Sequence, residues 1–284
     1  MSVPMSRRMQ EGFTLIELLV AMALGLLVLA AVYAGYVGVS RTTGVGRALS
    51  QITEDASAAM VMLRQHVNAA AYSAPVAVPG STGTAFGHKD STSDWVHGCD
   101  ADFADLSQPI ASLACADHGS DALAVVYEVN EFNSITKRSG SVKVPMDCLG
   151  NSLPLVDGHY LSYSRFYLKD GALYCLGPGN ASGQALVDNI SDMQIVYGVS
   201  VAGGHVAASY KQAAEVSAAG AWARVVSVRV CLIVRSADAV LDAPAPYQGC
   251  DPFEKPTLPA AGDRHLYRSF TSTFVIQNRR GSAL

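Results

Sequence analysis

The sequence lacks the short patterns that carry common chemistries. No Gly-x-Ser-x-Gly, His-Glu-x-x-His or Gly-x-x-x-x-Gly-Lys stretch occurs in its 284 residues. That removes the serine-hydrolase elbow, the helical zinc pair and the phosphate-cradling loop from the signals an enzyme would offer. Charge is scarce at 15% of residues, and its balance is slightly acidic, with a formal net charge of −4. Such a chain has no general attraction for nucleic acid or anionic lipid. No Cys-x-x-Cys pair exists, and the first 98 residues hold no cysteine at all. Between Pro4 and Pro75 there is no proline, and between Arg8 and Arg41 no basic residue. Nor does the start have the short basic region, 7–15-residue apolar core and small-x-small site of a secretory signal peptide.

What is there is apolar. Half of the residues are hydrophobic and the mean hydropathy is +0.22, with much of the excess in one N-terminal stretch. A polar leader ends in Gly12, the apolar run begins at once with Phe13, and a lone acid, Glu17, interrupts it. Residues 18–39 carry no charge. At 1.5 Å per residue they make about 33 Å of helix, enough to cross a bilayer core. Arg7 and Arg8 before the run predict an N-terminus left in the cytoplasm. A carboxylate inside such a span is costly unless it is neutral, paired or able to reach the interface. A chain cut after Gly12 would give Phe13 a free amine four residues from Glu17, able to pair with it or with the Glu17 of a neighbour.

The ordered run Gly12-Phe13-Thr14-Leu15-Ile16-Glu17-Leu18-Leu19-Val20-Ala21 resembles the class III leader junction of type IV prepilins and type II secretion pseudopilins. The resemblance implies cleavage between Gly12 and Phe13 by prepilin peptidase, N-methylation of Phe13, and a Glu17 that aligns incoming subunits. Cleavage would remove Arg7, Arg8 and Glu11 and move the formal charge from −4 to −5. Major pilins often carry a proline partway along this helix; here Gly25, Gly35 and Gly38 are the softer points.

Past Val39 the apolar residues become one-sided. Leu49, Ile52, Ala56, Met60, Leu63, Val67 and Ala70 recur at three- and four-residue steps, the mark of an amphipathic helix. Met60 and Met62 read as core filling. Pro75 and Pro79 close the segment. One helix over 14–71, loosened near Gly44 and Gly46, is therefore predicted. Residues 75–120 are rich in Gly, Ser, Pro, Asp and Ala and read as loop. Strands are predicted at 122–129, 160–168, 172–176, 193–201, 223–235 and 266–277. Lys169-Asp170-Gly171 marks a hairpin turn. Along 223–235, Val226, Val228, Val230, Leu232 and Val234 face one way, and Ser227, Arg229 and Arg235 the other. Strands without long helices between them predict a mainly antiparallel sheet, the one cover for the amphipathic helix. The fold class is α+β, a pilin-like roll. Its divisions are a leader (1–12), a transmembrane and filament-core helix (13–39), its amphipathic continuation (40–74) and a β-rich periplasmic domain (75–284).

The segment Ile190-Ser191-Asp192-Met193-Gln194-Ile195-Val196-Tyr197-Gly198, the strand from Trp222 to Val230 and the closing stretch with Arg279-Arg280 resemble the PilW group of minor pilins. These are related to the J-type minor pseudopilins of type II secretion. The resemblance implies a minor pilin that helps prime assembly of a type IV pilus, with a place at the tip. Adhesion and twitching motility would be properties of the whole filament. Its partners would be prepilin peptidase, the major pilin and other minor pilins, and the inner-membrane assembly machinery, with no direct contact to nucleic acid. The location would be the inner membrane, by a single span, and then the extracellular pilus. The alternatives are a minor pseudopilin of a type II secretion system and, from another class, a membrane-tethered enzyme or metal-binding protein.

Six cysteines in an exported chain predict disulfides. Fifteen pairings exist, and local closure favours Cys99 with Cys115, Cys148 with Cys175 and Cys231 with Cys250, each stabilising by about 3 kcal/mol. His97, Cys99, Cys115 and His118 form a competing zinc set, and Asp100, Asp102 and Asp105 a carboxylate-rich loop that reads as solvated rather than calcium-holding. Asp157, His159 and Ser162 are close in sequence, but a tyrosine-rich strand accounts for them without triad geometry. Arg264, His265, Tyr267 and Arg268 read as the solvent face of a strand. No cofactor or catalytic residue is expected.

Overall fold

A computed structural model describes residues 14–77, 84–86, 95–156, 158–178 and 180–279. The leader, Phe13, Pro79, Asp157 and Arg280 lie outside the described residues. The chain divides into two compact units, one ending at Arg47 and the other covering Ala48–Leu284. Helix α1, Leu15–Ala69, contributes to both.

In the first unit α1 is a bare apolar helix. From Leu15 to Val39 its large hydrophobic side chains, Val37 apart, are 53–76% exposed, so among the described residues little protein surface covers them and the apolar environment must come from elsewhere. Thr42 and Thr43 donate their hydroxyls to the carbonyls of Gly38 and Val39, which lets polar side chains sit in a helix without competing for water. The helix does not break at Gly44 or Gly46; a propensity loss of about 1 kcal/mol per glycine is too small to interrupt the ladder.

In the second unit the buried face of α1 is Ala48, Ile52, Ala56, Ala59, Leu63, His66 and Val67. Ile52, Ala56, Leu63, Val67 and Ala70 of the predicted stripe are buried, while Ala48 and Ala59 take the places predicted for Leu49 and Met60. Leu49 is 37% exposed, and Met60 and Met62 are only half-buried. Small alanines take the closest approaches instead. The helix stops at Ala69, six residues before Pro75, because Ala71 turns left-handed (φ 60) and donates its N–H to Val126. The Asn278 amide reaches the carbonyls of Asn68, Ala69 and Ala70 at 3.1–3.3 Å and caps the helix from a distant part of the chain.

The strands are all antiparallel but form two principal sheets where one was predicted. Two short pairs stand apart: β1 (Pro75–Ala77) with β2 (Thr84–Phe86), and β5 (Thr136–Ser139) with β6 (Val142–Pro145). The first sheet runs β10-β9-β8-β4-β3, from β3 (Val96–Cys99), β4 (Ala122–Val129), β8 (His159–Lys169), β9 (Ala172–Leu176) and β10 (Gln184–Asp188), with β7 (Leu155–Val156) beside β8. The second runs β12-β11-β13-β14, from β11 (Ile190–Ser200), β12 (Ala207–Lys211), β13 (Val225–Arg235) and β14 (Tyr267–Val275). A short helix, α2 (Ala213–Ala218), follows β12. Strand β3 lies within the stretch read as loop; Val96-His97-Gly98-Cys99 has too few alternating residues to announce itself.

The sheets meet where Tyr197 of β11 lies over β3. A Cβ at Gly98 would collide with the Tyr197 hydroxyl, so only glycine admits this approach. Every residue of β4 is buried. Tyr127 on that strand hydrogen-bonds His66 of α1 at 2.9 Å, and the His66 ring packs edge-on to Phe166 of β8 at 5.0 Å. Burial lowers the His66 pKa to about 4, so it serves as a neutral core residue. The β8–β9 hairpin turns at Asp170 and Gly171, both at positive φ (53 and 76), as a two-residue turn of matching twist requires.

Candidate functional site

The chemistry of the first unit is concentrated at the start of α1. Thr14 and Glu17 close a capping box: the Glu17 N–H donates to Thr14 Oγ1 at 3.3 Å, and the Thr14 N–H donates back to Glu17 Oε2 at 3.0 Å. The Thr14 hydroxyl also donates to Oε2 at 3.0 Å. Ser/Thr-x-x-Glu is a sequence signature of a helix start, so Thr14 satisfies an acid that would otherwise lie bare among Leu15, Ile16 and Leu18. Glu17 Oε1 takes no hydrogen bond among the described residues. Gly12 and Phe13 lie outside the described residues. The apolar stretch that follows is long enough to cross a membrane, and none of its most apolar window is buried.

In the second unit the cysteines are paired as Cys99–Cys115, Cys148–Cys175 and Cys231–Cys250. The zinc set is therefore not assembled: Cys99 and Cys115 hold each other, and the His97 ring packs on Trp222 at 4.9 Å. Among the described residues no group of three or more His, Cys, Asp or Glu is arranged to hold a metal ion. The aspartates of the 100–105 loop serve structure. Asp100 accepts from the N–H groups of Ala213 and Ala214 at the start of α2 (2.6 and 2.8 Å), and Asp105 accepts from Ser107 and Gln108. His159 meets Glu128 at 3.0 Å and Ser162 meets Ser164 at 3.1 Å, so those two do not form a nucleophile–base pair. His265 and Tyr267 are not a free solvent face: both bind Asp263 (2.7 Å each), and Tyr267 stacks on Tyr247 at 4.7 Å.

A carboxylate that sequence reasoning passed over joins the sheets. Asp121, 5% exposed, donates its N–H to the Met193 carbonyl and accepts the Ile195 N–H at 2.6 Å. Burial raises its pKa to about 7, with the neighbouring Asp100 and Asp192 adding to the effect. The folded chain thus holds this proton at pH values where the unfolded chain has released it. Stability from this group is full below about pH 4 and declines as pH rises towards 7. Asp121→Asn keeps an oxygen for Ile195 and cannot ionise. In thermal unfolding of the full chain in detergent micelles it is expected to raise the melting temperature at pH 8 by roughly 2–4 °C and to change it little at pH 4. An equal shift at both pH values would contradict this account.

Comparisons with known proteins fall on both units. Residues 7–33 match the prokaryotic N-terminal methylation motif, and residues 164–278 match the family of type IV pilus-assembly protein W. The latter span runs from within β8 through β14. No curated protein sequence matches the chain. Among solved structures, a type IV-like pilin from Thermus thermophilus is similar, with 12% identity, a TM-score of 0.40, and coverage of 80% of this chain and 98% of that one.

Proposed function

We propose, from the premise that this chain belongs to the type IV pilin-like proteins of the PilW type, that it is a minor subunit of a type IV pilus that helps prime assembly and takes a place at the tip. Prepilin peptidase would cut between Gly12 and Phe13, and the Phe13 amine would be methylated. The span over 13–39 would hold the subunit in the inner membrane, with the region from 75 onward in the periplasm. On assembly the same span would exchange lipid for the helices of neighbouring pilins.

The observation that carries this reading is the junction itself. A small residue, an apolar run without a spacer and one acid at its fifth position stand in the segment that matches the methylation motif. The capping box adds a mechanism. Thr14 holds Oε2 of Glu17, and Oε1 would accept from an amine, that of its own Phe13 or of an adjacent subunit. A charged pair in apolar surroundings is tolerable where a lone charge is not.

Deletion of the chain tests the reading, with surface pili counted by electron microscopy and type II secretion measured in parallel. A loss of most surface pili, restored by the wild-type chain, with secretion unchanged, is the expected outcome. Normal piliation with failed secretion would assign the chain to the secretion machine instead.

A further inference from the structure

We infer that the outer edge of β14 is the docking site for an extended segment of a neighbouring pilin subunit, added to the second sheet as a fifth strand and carrying an acidic residue. The inference uses the proposed function only to say where the partner comes from.

Strand β14 pairs with β13 in nine consecutive steps, from Ser227 opposite Val275 to Arg235 opposite Tyr267, without a register shift. The flanking bonds fix which groups face which way. Ile276 N–H donates to Val226 and Ser236 N–H donates to Leu266. The even-numbered residues of β14 therefore bond to β13, and antiparallel alternation turns the N–H and C=O of Ser269, Thr271 and Thr273 away from it. Among the described residues none of these six groups has a backbone partner. Thr271 and Thr273 are exposed.

Natural sheets blunt such edges with short strands, bulges, proline or lysine. The other three principal edges here are blunted. Strand β3 has four residues and is held by Cys99–Cys115. Strand β10 has five residues and a register shift between Ala185 and Val187, and β12 has five and a shift between Val199 and Ser200. Strand β14 has nine residues, no bulge, no proline and no lysine. A long, regular edge with no strand partner among the described residues is the template on which strand addition works, with main-chain bonds supplying affinity. Its side chains suit a cover as well: Phe274 is 4% exposed, while Phe270, nearer the middle of the strand, is only half-buried.

Charge selects the occupant. Arg229, beside Thr273, bonds that residue's hydroxyl and lies over the Tyr210 ring at 4.0 Å. Arg268 donates to the Tyr267 carbonyl. Both are exposed, and neither meets a carboxylate among the described residues. An incoming strand with an acidic residue supplies what they lack. A second copy of β14 paired at this edge would bring no Asp or Glu to meet them and is disfavoured.

Amide hydrogen exchange on the full-length chain in detergent micelles tests this, alone and in complex with the full-length major and minor pilins of its own organism. In the complex the amides of Ser269, Thr271 and Thr273 are expected to slow by at least about 10-fold, while those of Phe270 and Ser272, already bonded to β13, change little. Thr271→Pro, tolerable where the N–H faces outward, and Arg268→Glu should each reduce recovery of the partner by about 10-fold or more. A complex that forms while the three amides stay fast overturns the edge assignment and leaves the proposed function standing. Failure to join any pilin overturns both. Protection that appears in the chain alone as concentration rises overturns the inference in favour of self-pairing. The exchange comparison uses the wild-type chain and does not depend on either variant folding.

Discussion

Gly12→Val is expected to leave the chain as its precursor, heavier by the twelve leader residues, retained in the inner membrane and missing from sheared pili. The proposed cut lies between Gly12 and Phe13, at the step from a polar leader to an apolar helix. A peptidase acting at that boundary must bring its catalytic groups against the backbone of the residue before the cut. Glycine has no Cβ to hold them away, and it adopts whichever backbone conformation the active site requires. Valine brings a β-branched side chain, stiff at χ1, to the same place. The effect should be close to all-or-none, because an untrimmed leader keeps Arg7, Arg8 and Glu11 at the end of the span. Charged residues there hold that end at the membrane surface, and Phe13 has no free amine for Glu17. Immunoblotting of membranes and sheared pili reads the result. A variant trimmed and incorporated like the wild type would show that Gly12 is not the residue before the cut.

Glu17→Val should act later in the same sequence of events. Two terms compete in the single subunit. Removing an acid from an apolar span makes insertion more favourable, by roughly 2.5–3.5 kcal/mol at a helix centre and less near its end. Losing the Thr14–Glu17 box weakens a helix start by about 1 kcal/mol. The variant is therefore expected to be trimmed normally and to stay stably inserted. What it would lose is the proposed pairing with a neighbour. In an apolar helix bundle the Phe13 amine of the adjacent subunit would have no counterion, and a buried unpaired charge costs several kcal/mol. Recovery of the variant in sheared pili should fall at least about 10-fold, since each 1.4 kcal/mol is a factor of ten. Glu17→Asp keeps the charge on a shorter arm and should fall between. A subunit at the very tip has no neighbour above it, so the loss would be smaller there than for a subunit inside the shaft. Wild-type recovery of a cleaved, stable Glu17→Val chain would remove the pairing role.

These two residues stand out in the sequence because their signal is local. An acid that interrupts an apolar run, and a glycine that borders it, are visible without knowing what touches what. The β8–β9 turn is legible for the same reason, since Asp170-Gly171 specifies the left-handed conformations that the structure has there. Reading failed where burial depends on distant chain. Along β13 the row Val226, Val228, Val230, Leu232 and Val234 is buried, but so are Ser227, Cys231 and Ile233 on the opposite face. Part of the cover is the segment that returns to β13 through Cys231–Cys250 and stacks Tyr247 on Tyr267. Alternation in the sequence cannot report a cover that arrives from fifteen or more residues away. The division into two sheets was hidden likewise, because strand order is a set of long-range pairings. Asp121 looks like any loop acid until β11 is laid beside it, and β14 looks like any strand until the described residues are found to give it one neighbour, β13.

The central claim, that this is a processed filament subunit, is tested most directly by the mass of the chain's N-terminal peptide, taken from sheared pili. The account predicts a peptide that begins at Phe13 with one methyl group on its amine. A chain in the pili beginning at Met1, or after Ala21 or Ala23, would contradict it, as would the absence of the chain from pili that are otherwise intact.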